Sequence, residues 1–408
     1  MKHKLKCVSC GSIYEPEKEL YTCQKCCDRM GTLEVLYDYS SISVKKSDFG
    51  KHENIWQFKK LLPIEDSSYK THLHIGGTPL YEFEGLLGLK KVYVKYDGGN
   101  PTASYKDRAS AIAVTKACEA GYQSIYCAST GNAASSLAGL AITTNLKTYI
   151  FLPSSAPVAK MSQLFVYGAR VIPIEGSYDE AFSISLQVGS VNGWYCRNSA
   201  INPYLLEGKK TGALEIAVQC DYKVPDYCLV PVGDGTVASS LFRGFYDFYK
   251  LGFIGKIPRI IGVQAKGSNS VYKAFLNGEP YKTFDIPSSN TVADSILVGK
   301  PRDVIKACKY IKASGGYLID VEDEEILNSI VELSVNTGVF AEPAGAATYA
   351  GLSKLIKNGK IDKKSSVCLV VTGNGLKDIK AVEDLVNIEP VEPIFDKVME
   401  YIEALDNN

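Results

Sequence analysis

Histidine is nearly missing from this chain: among 408 residues only His3, His52, His72 and His74 are histidines, and none follows residue 74. A Ser-His-Asp or Cys-His hydrolase on the main body is therefore not expected, since both need an imidazole beside the nucleophile. A histidine-rich catalytic metal site is disfavoured on the same ground. Excess charge of either sign is missing too. Lysine plus arginine and aspartate plus glutamate number 45 each, so no global field draws the protein to nucleic acid or to an anionic membrane, and a small molecule is the expected partner. No apolar run reaches the roughly 18 residues a spanning helix needs. The opening Met1-Lys-His-Lys-Leu-Lys-Cys lacks the apolar core and cleavage site of a leader. A cytoplasmic location is the expectation.

The length allows two to three domains with a large buried core. Twelve cysteines are present, seven of them scattered as singles or in apolar runs such as Val367-Cys-Leu-Val, where they read as core thiols. The other five precede residue 28. Cys7-x2-Cys10 and Cys23-x2-Cys26 face each other across twelve residues, with Cys27 adjoining. Two such turns can present four thiolates tetrahedrally to one zinc ion, a closed and hence structural site. The alternatives are thiols that only pack, or Cys27 in place of Cys26.

A basic stretch around residues 45 to 51 contains a linker near residue 46. An amphipathic docking segment follows, with Ile55-Trp-Gln-Phe and Leu61-Leu-Pro. From about residue 92 to residue 374, β-branched apolar strands alternate with helical runs. Strands are expected at Val92-Tyr-Val-Lys-Tyr, Ser124-Ile-Tyr-Cys-Ala, Lys147-Thr-Tyr-Ile-Phe-Leu, Arg170-Val-Ile-Pro-Ile, Tyr227-Cys-Leu-Val-Pro-Val, Arg259-Ile-Ile-Gly-Val-Gln and Ser366-Val-Cys-Leu-Val-Val-Thr. This alternation predicts an α/β protein of two lobes with largely parallel sheets flanked by helices. Residues 389 to 408 read as an acidic surface helix or tail.

Four segments carry chemistry. Lys106 sits between the turn Asp97-Gly-Gly-Asn-Pro-Thr-Ala-Ser-Tyr and an alanine-rich helix start, at the carboxyl end of a strand, where open α/β sheets bind ligands. Ser129-Thr-Gly-Asn132 follows a strand and opens a helix, which makes it either an anion site for a carboxylate or an ordinary capped helix start. Gly233-Asp234-Gly235-Thr236 precedes a helix expected to begin near Ala238 and can cradle a single phosphate, or be a plain turn. It has no Gly-Lys-Ser/Thr behind it and is not a complete GxGxxG, which argues against an NTPase or a dinucleotide enzyme. Thr372-Gly-Asn-Gly offers a hydroxyl at the end of the last strand. A lysine, hydroxyls, amides and a phosphate cradle together suit a cofactor with an aldehyde and one phosphate, pyridoxal 5'-phosphate.

In order along the chain, Gly76-Gly-Thr-Pro-Leu, Asn100-Pro-Thr-Ala-Ser-Tyr-Lys-Asp-Arg, Ala128-Ser-Thr-Gly-Asn, Asn198-Ser-Ala-Ile-Asn-Pro-Tyr-Leu-Leu-Glu-Gly, Pro231-Val-Gly-Asp-Gly, Ala341-Glu-Pro-Ala and Val371-Thr-Gly-Asn-Gly-Leu-Lys-Asp resemble the motifs of the threonine synthase family, fold-type II pyridoxal-phosphate enzymes of tryptophan synthase beta-like architecture. The resemblance implies that Lys106 bonds the coenzyme aldehyde and shuttles protons. Asn132 would bond the phenolic oxygen, Gly233, Asp234, Gly235 and Thr236 the phosphate, and Thr372 the pyridine nitrogen. Ser129, Thr130 and Gly131 would grip the amino acid's carboxylate, and Lys160, Asn198 and Ser199 the substrate phosphate, although Lys160 also reads as a solvated helix residue. The implied reaction takes O-phosphohomoserine and water to threonine and phosphate. The implied organisation is a zinc-ribbon-like module over 1–45, a large lobe from 46–110 and 204–390, a small mobile lobe over 111–203, a tail over 391–408, and a homodimer.

The chain departs from the family pattern at Ala103, Tyr105 and Ala109, at Asp234 and Thr236, and at Asn374. Asp234 brings a carboxylate near a phosphate, which is tolerable if its side chain turns outward. These departures leave open a paralogue doing replacement on another activated amino acid such as O-phosphoserine, as in cysteate synthase-like enzymes, a threonine or serine dehydratase, or a catalytically silent binder of amino acid or coenzyme.

Overall fold

The structure, a computed structural model, describes residues 3–17, 20–26, 31–156, 158–278, 289–385 and 390–406. Three sheets organise them. The first is a small antiparallel sheet of β1 (His3–Cys7), β2 (Ile13–Tyr14) and β3 (Leu33–Tyr37), in the order β2-β1-β3. The second has six strands: β4 (Leu80–Phe83), β5 (Lys91–Tyr96), β10 (Tyr227–Pro231), β11 (Arg259–Ala265), β12 (Tyr317–Val321) and β13 (Ser366–Val371), in the order β12-β11-β10-β13-β5-β4. The third has four: β6 (Ser124–Ala128), β7 (Lys147–Pro153), β8 (Arg170–Ile174) and β9 (Tyr195–Cys196), in the order β8-β7-β6-β9.

All pairings in the two larger sheets are parallel except that of the edge strand β4 with β5. Parallel strands are covered on both faces, so they read as unbroken apolar runs, and every residue of β6 and β10 is indeed buried. Edge strand β4, Leu80-Tyr-Glu-Phe83, has no buried position. The helices are α1 (Lys106–Glu119), α2 (Asn132–Ala141), α3 (Val158–Val166), α4 (Tyr178–Val191), α5 (Tyr204–Gln219), α6 (Thr236–Lys250), α7 (Ser270–Leu276), α8 (Val304–Ala313), α9 (Asp323–Thr337), α10 (Pro343–Lys357) and α11 (Phe395–Asp406). The alternation expected from periodicity is present. Helix α6, however, starts at Thr236, two residues before the expected Ala238, and α11 buries no side chain. None of the described helices is long and apolar enough to cross a membrane.

Helix α5 runs through the middle with fifteen residues, Tyr204 to Val218, all buried. It carries Glu207, Lys209, Lys210 and Glu215, charges that would ordinarily mark a solvated face. Most are neutralised by partners distant in sequence. Lys210 Nζ lies 2.5 Å from Glu207 and 2.6 Å from Asp247. Arg108 reaches Glu215 with both terminal nitrogens (2.6 and 2.7 Å) and Asp97 with Nε and Nη2 (2.6 and 2.9 Å), while Lys95 Nζ adds a bond to Glu215 at 2.8 Å. Burial pushes the Glu215 carboxyl up, but the Arg108 and Lys95 cations outweigh it and hold it at about 2.

The N-terminal module is bonded to this core. Tyr37 Oη donates to Glu207 (2.5 Å), Arg243 to the Val35 carbonyl (3.1 Å) and Lys306 to the Leu33 carbonyl (3.1 Å). The stretch read as a linker is also laid down: the Tyr222 hydroxyl donates to the Lys46 carbonyl (2.9 Å), and the Lys46 ammonium lies over the Tyr222 ring. The docking segment forms a 3-10 helix over Ile55–Leu61 that buries Ile55, Trp56, Phe58 and Leu61. Of the seven scattered cysteines, all but Cys118 are buried.

Candidate active site

The strand order places the site. Strands β10, β13 and β5 are adjacent and parallel, and their carboxyl ends lead into the Gly233 loop, Thr372 and the Lys106 turn respectively. The carboxyl end of β6 in the other sheet leads into Ser129–Asn132. These segments meet at a cavity of about 390 Å³ lined by Lys106, Ser129, Thr130, Gly131, Asn132, Ser199, Gly233, Asp234, Gly235, Thr236 and Thr372, with Tyr178, Ser295, Lys300 and Arg302 completing the wall. Ligand sites at strand carboxyl ends are the rule in open parallel sheets.

The turn before Lys106 is pinned from both sides. The Tyr105 N–H donates to the Thr372 carbonyl (2.8 Å) and the Asn374 N–H to the Ala103 carbonyl (3.1 Å), so the lysine turn and the last strand's exit form one unit. Asp107 folds back to accept from the Thr102 N–H (2.7 Å) and hydroxyl, closing the start of α1. Ala103 has φ +63°, the left-handed region where a Cβ is strained, which is the physical reason a glycine suits this position. The Tyr105 phenol, next to the lysine in sequence, points away from it: it donates to the Lys209 carbonyl (2.6 Å) on α5. Gly212 makes the room, since a Cβ there would lie 2.3 Å from that hydroxyl.

Burial pushes the Lys106 ammonium below the ordinary lysine range; Glu342 opposes the shift and Arg197 adds to it. A lysine so placed holds a larger fraction of free amine, the nucleophilic form, than an exposed one. Asn132 donates through Nδ2 to Glu342 (2.8 Å) and Ser295 (3.2 Å). The Gly131 N–H is satisfied by the Ser129 hydroxyl (3.2 Å). Asp234 is half-buried, its desolvation pushes its carboxyl up, and its Oδ1 accepts from the Arg302 N–H (3.0 Å). Gly235, at φ +97°, makes the sharp entry into α6.

One expected residue is not among those lining the cavity. Asn198 is spent internally: its Oδ1 accepts from the Ala128 N–H (2.7 Å) and its Nδ2 donates to Ser185 (3.0 Å), tying the end of β6 to α4. Lys160 lies on α3, and its side chain falls outside the described residues, as does Cys27. Conversely, several residues here have no reading from sequence. Glu342 is buried with Oε1 lacking a hydrogen-bond partner among the described residues. Arg197 is buried with Nε donating to Ser110 (3.1 Å) and Nη2 likewise unpartnered. Lys377 donates to Gln163 (2.6 Å) and Ser135 (3.1 Å) at the rim. Glu342 and Lys377 fall inside quoted motifs, and Arg197 directly precedes one, but nothing local says what each faces.

The residues present fit a phosphorylated aldehyde. A buried lysine without a carboxylate partner among the described residues, Lys209, donates to Thr236 of the glycine loop at the N-terminus of α6 (2.6 Å), and the desolvated Lys106 lines the same cavity as that loop. The pyridoxal-phosphate dependent enzyme family model matches residues 71–373. Threonine synthase of Methanosarcina acetivorans is 40% identical over 390 residues, covering 94% of each chain. That of Methanocaldococcus jannaschii is 39% identical over 399 residues, covering 94% of this chain and 96% of the relative. The chain belongs to the threonine synthase family of pyridoxal-phosphate dependent enzymes. Solved structures share its fold at low identity. Threonine deaminase isoform 2 from Solanum lycopersicum superposes with TM-score 0.63 at 21% identity, covering 76% of this chain and 88% of that one. Diaminopropionate ammonia lyase from Escherichia coli gives 0.65 at 16%, covering 84% and 96%.

The four N-terminal thiols also converge. Sγ atoms of Cys7, Cys10, Cys23 and Cys26 all lie within 4.8 Å of one another, with Cys7–Cys26 at 3.8 Å and Cys10–Cys23 at 3.7 Å. Four sulfurs about 2.3 Å from a tetrahedral centre are spaced by about 3.8 Å. The separations match a metal centre and are far too long for disulfides.

Proposed function

We propose that the protein converts O-phosphohomoserine and water to threonine and inorganic phosphate. The observation that carries this is the desolvated Lys106 facing a glycine loop across one cavity, in a chain whose threonine synthase relatives match over nearly its whole length. Pyridoxal phosphate supplies an aldehyde for the substrate amine and a ring that withdraws electrons from the carbons next to it. Lys106 would hold that aldehyde and carry protons at the substrate's Cα and Cβ. Asn132, fixed by Glu342 and Ser295, would bond the phenolic oxygen. The Thr372 hydroxyl would be the partner of the pyridine nitrogen, which would leave the ring a moderate electron sink and favour elimination and replacement over transamination. The loop Gly233, Asp234, Gly235 and Thr236 would hold the coenzyme phosphate. Ser129, Thr130 and Gly131 take the substrate carboxylate at the N-terminus of α2.

Ser199 and Lys160 are the residues proposed for the substrate's phosphate. Asn198 acts through position: its bonds to Ala128 and Ser185 set the segment that presents Ser199. The deciding assay measures phosphate and threonine release from O-phosphohomoserine by purified protein loaded with coenzyme. Both products in equal amounts are expected. No turnover there, with activity on O-phosphoserine or dehydration of threonine, sinks this reading in favour of the replacement or dehydratase alternatives.

Zinc at Cys7, Cys10, Cys23 and Cys26 has a structural role, since four thiolates leave no position for a substrate. Elemental analysis of protein purified under reducing conditions should find about one zinc per chain. Chelation should lower the melting temperature, because the module it holds is bonded to α5, α6 and α8. Metal-free protein that melts with the native protein contradicts this.

A further inference from the structure

Lys209 on α5 is 1% exposed, yet its ammonium has no carboxylate partner among the described residues. It donates to the Thr236 hydroxyl at 2.6 Å and to the Ser199 hydroxyl at 3.3 Å. Among the described residues the other deeply buried lysines are neutralised: Lys95 by Glu215, Lys210 by Glu207 and Asp247, and Lys306 by Asp303. A buried charge left without a counter-ion is strongly destabilising, so an unpaired ammonium beside an anion loop implies an anion. Burial, together with Lys106 and Arg197, pushes the Lys209 ammonium well below the ordinary lysine range, while Asp234 and Asp303 are the acids that oppose the shift. Neither acid forms an ion pair with it: Asp234 turns to the Arg302 N–H and Asp303 to Lys306 and Ser239.

We propose that Lys209 is the fixed counter-cation of the coenzyme's phosphate ester, reaching it beside the Thr236 hydroxyl. The proposal rests on the reading of residues 233 to 236 as the phosphate loop. It explains why a loop that carries the extra carboxylate of Asp234 can still accept a dianion. A lysine beneath the loop returns one positive charge where backbone amides supply only partial ones. The shorter of its two bonds goes to Thr236, which assigns it to the coenzyme rather than to the substrate phosphate near Ser199.

The test compares pyridoxal phosphate with pyridoxal, which lacks the ester. In Lys209→Met apoprotein, pyridoxal phosphate should bind about ten- to a hundredfold more weakly, as expected for loss of a charge-assisted bond, with pyridoxal affinity unchanged. Lys209→Arg should recover most of the loss. Equal weakening of both compounds, or of neither, overturns the proposal. A raised KM for O-phosphohomoserine at saturating coenzyme, with coenzyme affinity intact, overturns it in favour of a substrate-phosphate role. Wild-type protein that binds the two compounds equally would instead remove the underlying loop assignment. Should Lys209→Met fail to fold, the phosphorus resonance of the wild-type holoenzyme decides. It should hold the dianion position from about pH 6 to pH 8.5, and a resonance that titrates like the free ester, near pH 6, refutes the counter-cation.

Discussion

Lys106→Ala should abolish turnover, lowering kcat/KM by about 10⁴-fold or more, while leaving the melting temperature at or above that of the native protein. The size follows from losing two functions in one side chain, the nucleophilic amine and the proton carrier at the substrate carbons. The retained stability follows from the setting. Lys106 is a desolvated cation, and the turn that holds it is fixed by backbone bonds to Thr372 and Asn374 and by Asp107, none of which uses the lysine side chain. Two independent readouts accompany the kinetics. Borohydride reduction of native holoenzyme should fix a pyridoxyl group on Lys106 and nowhere else, and the variant should take no label. The native protein should also show an absorbance band at roughly 410–420 nm that the variant lacks. A label on another lysine, or undiminished threonine formation by the variant, removes Lys106 from the chemistry and with it the reading of the whole cavity.

That Lys106 can be singled out from sequence, whereas Lys209 cannot, has a physical cause. A lysine between a Gly/Pro/Asn turn and a helix start is marked by its immediate neighbours, and the strand before it announces itself by the β-branched and aromatic run Val92-Tyr-Val. Parallel strands β6, β7, β10, β11 and β13 are legible as largely apolar, β-branched runs. Helix α5 defeats the same approach. Its four charges look like a solvated face; three of them, Glu207, Lys210 and Glu215, are buried with Lys95, Arg108 and Asp247, brought from three other segments, and Lys209 has no carboxylate partner among the described residues. Glu342 stands in a motif visible in the sequence, but its partner Asn132 lies 210 residues away, so no local pattern reveals that the two meet. Tyr105 misleads in the opposite direction. Next to the lysine in sequence, it points to α5, and the space that permits this is at Gly212.

The buried ionic cluster beneath the lysine turn should carry the largest stability effect in the molecule. Glu215→Ala removes the one carboxylate shared by Arg108 and Lys95, leaving two buried cations to Asp97 alone. Breaking a buried pair from one side costs about 3–5 kcal/mol, and denaturant unfolding should show a loss of that order. Arg108 is also the second residue after Lys106, so the variant should bind coenzyme more weakly as α1 loosens. The pH dependence gives a separate check. Glu215 is held at about 2, below its unfolded value of about 4.3, so its contribution is complete above that value and disappears as the pH falls through 4 toward 2. The shift corresponds to about 3 kcal/mol. Native protein should therefore lose stability steeply across that window, and Glu215→Ala, already without the contribution, should lose correspondingly less. A variant whose acid-unfolding curve runs parallel to the native one, or whose stability at neutral pH is unchanged, shows that the cluster is neutralised by some other arrangement than Arg108 and Lys95 on Glu215.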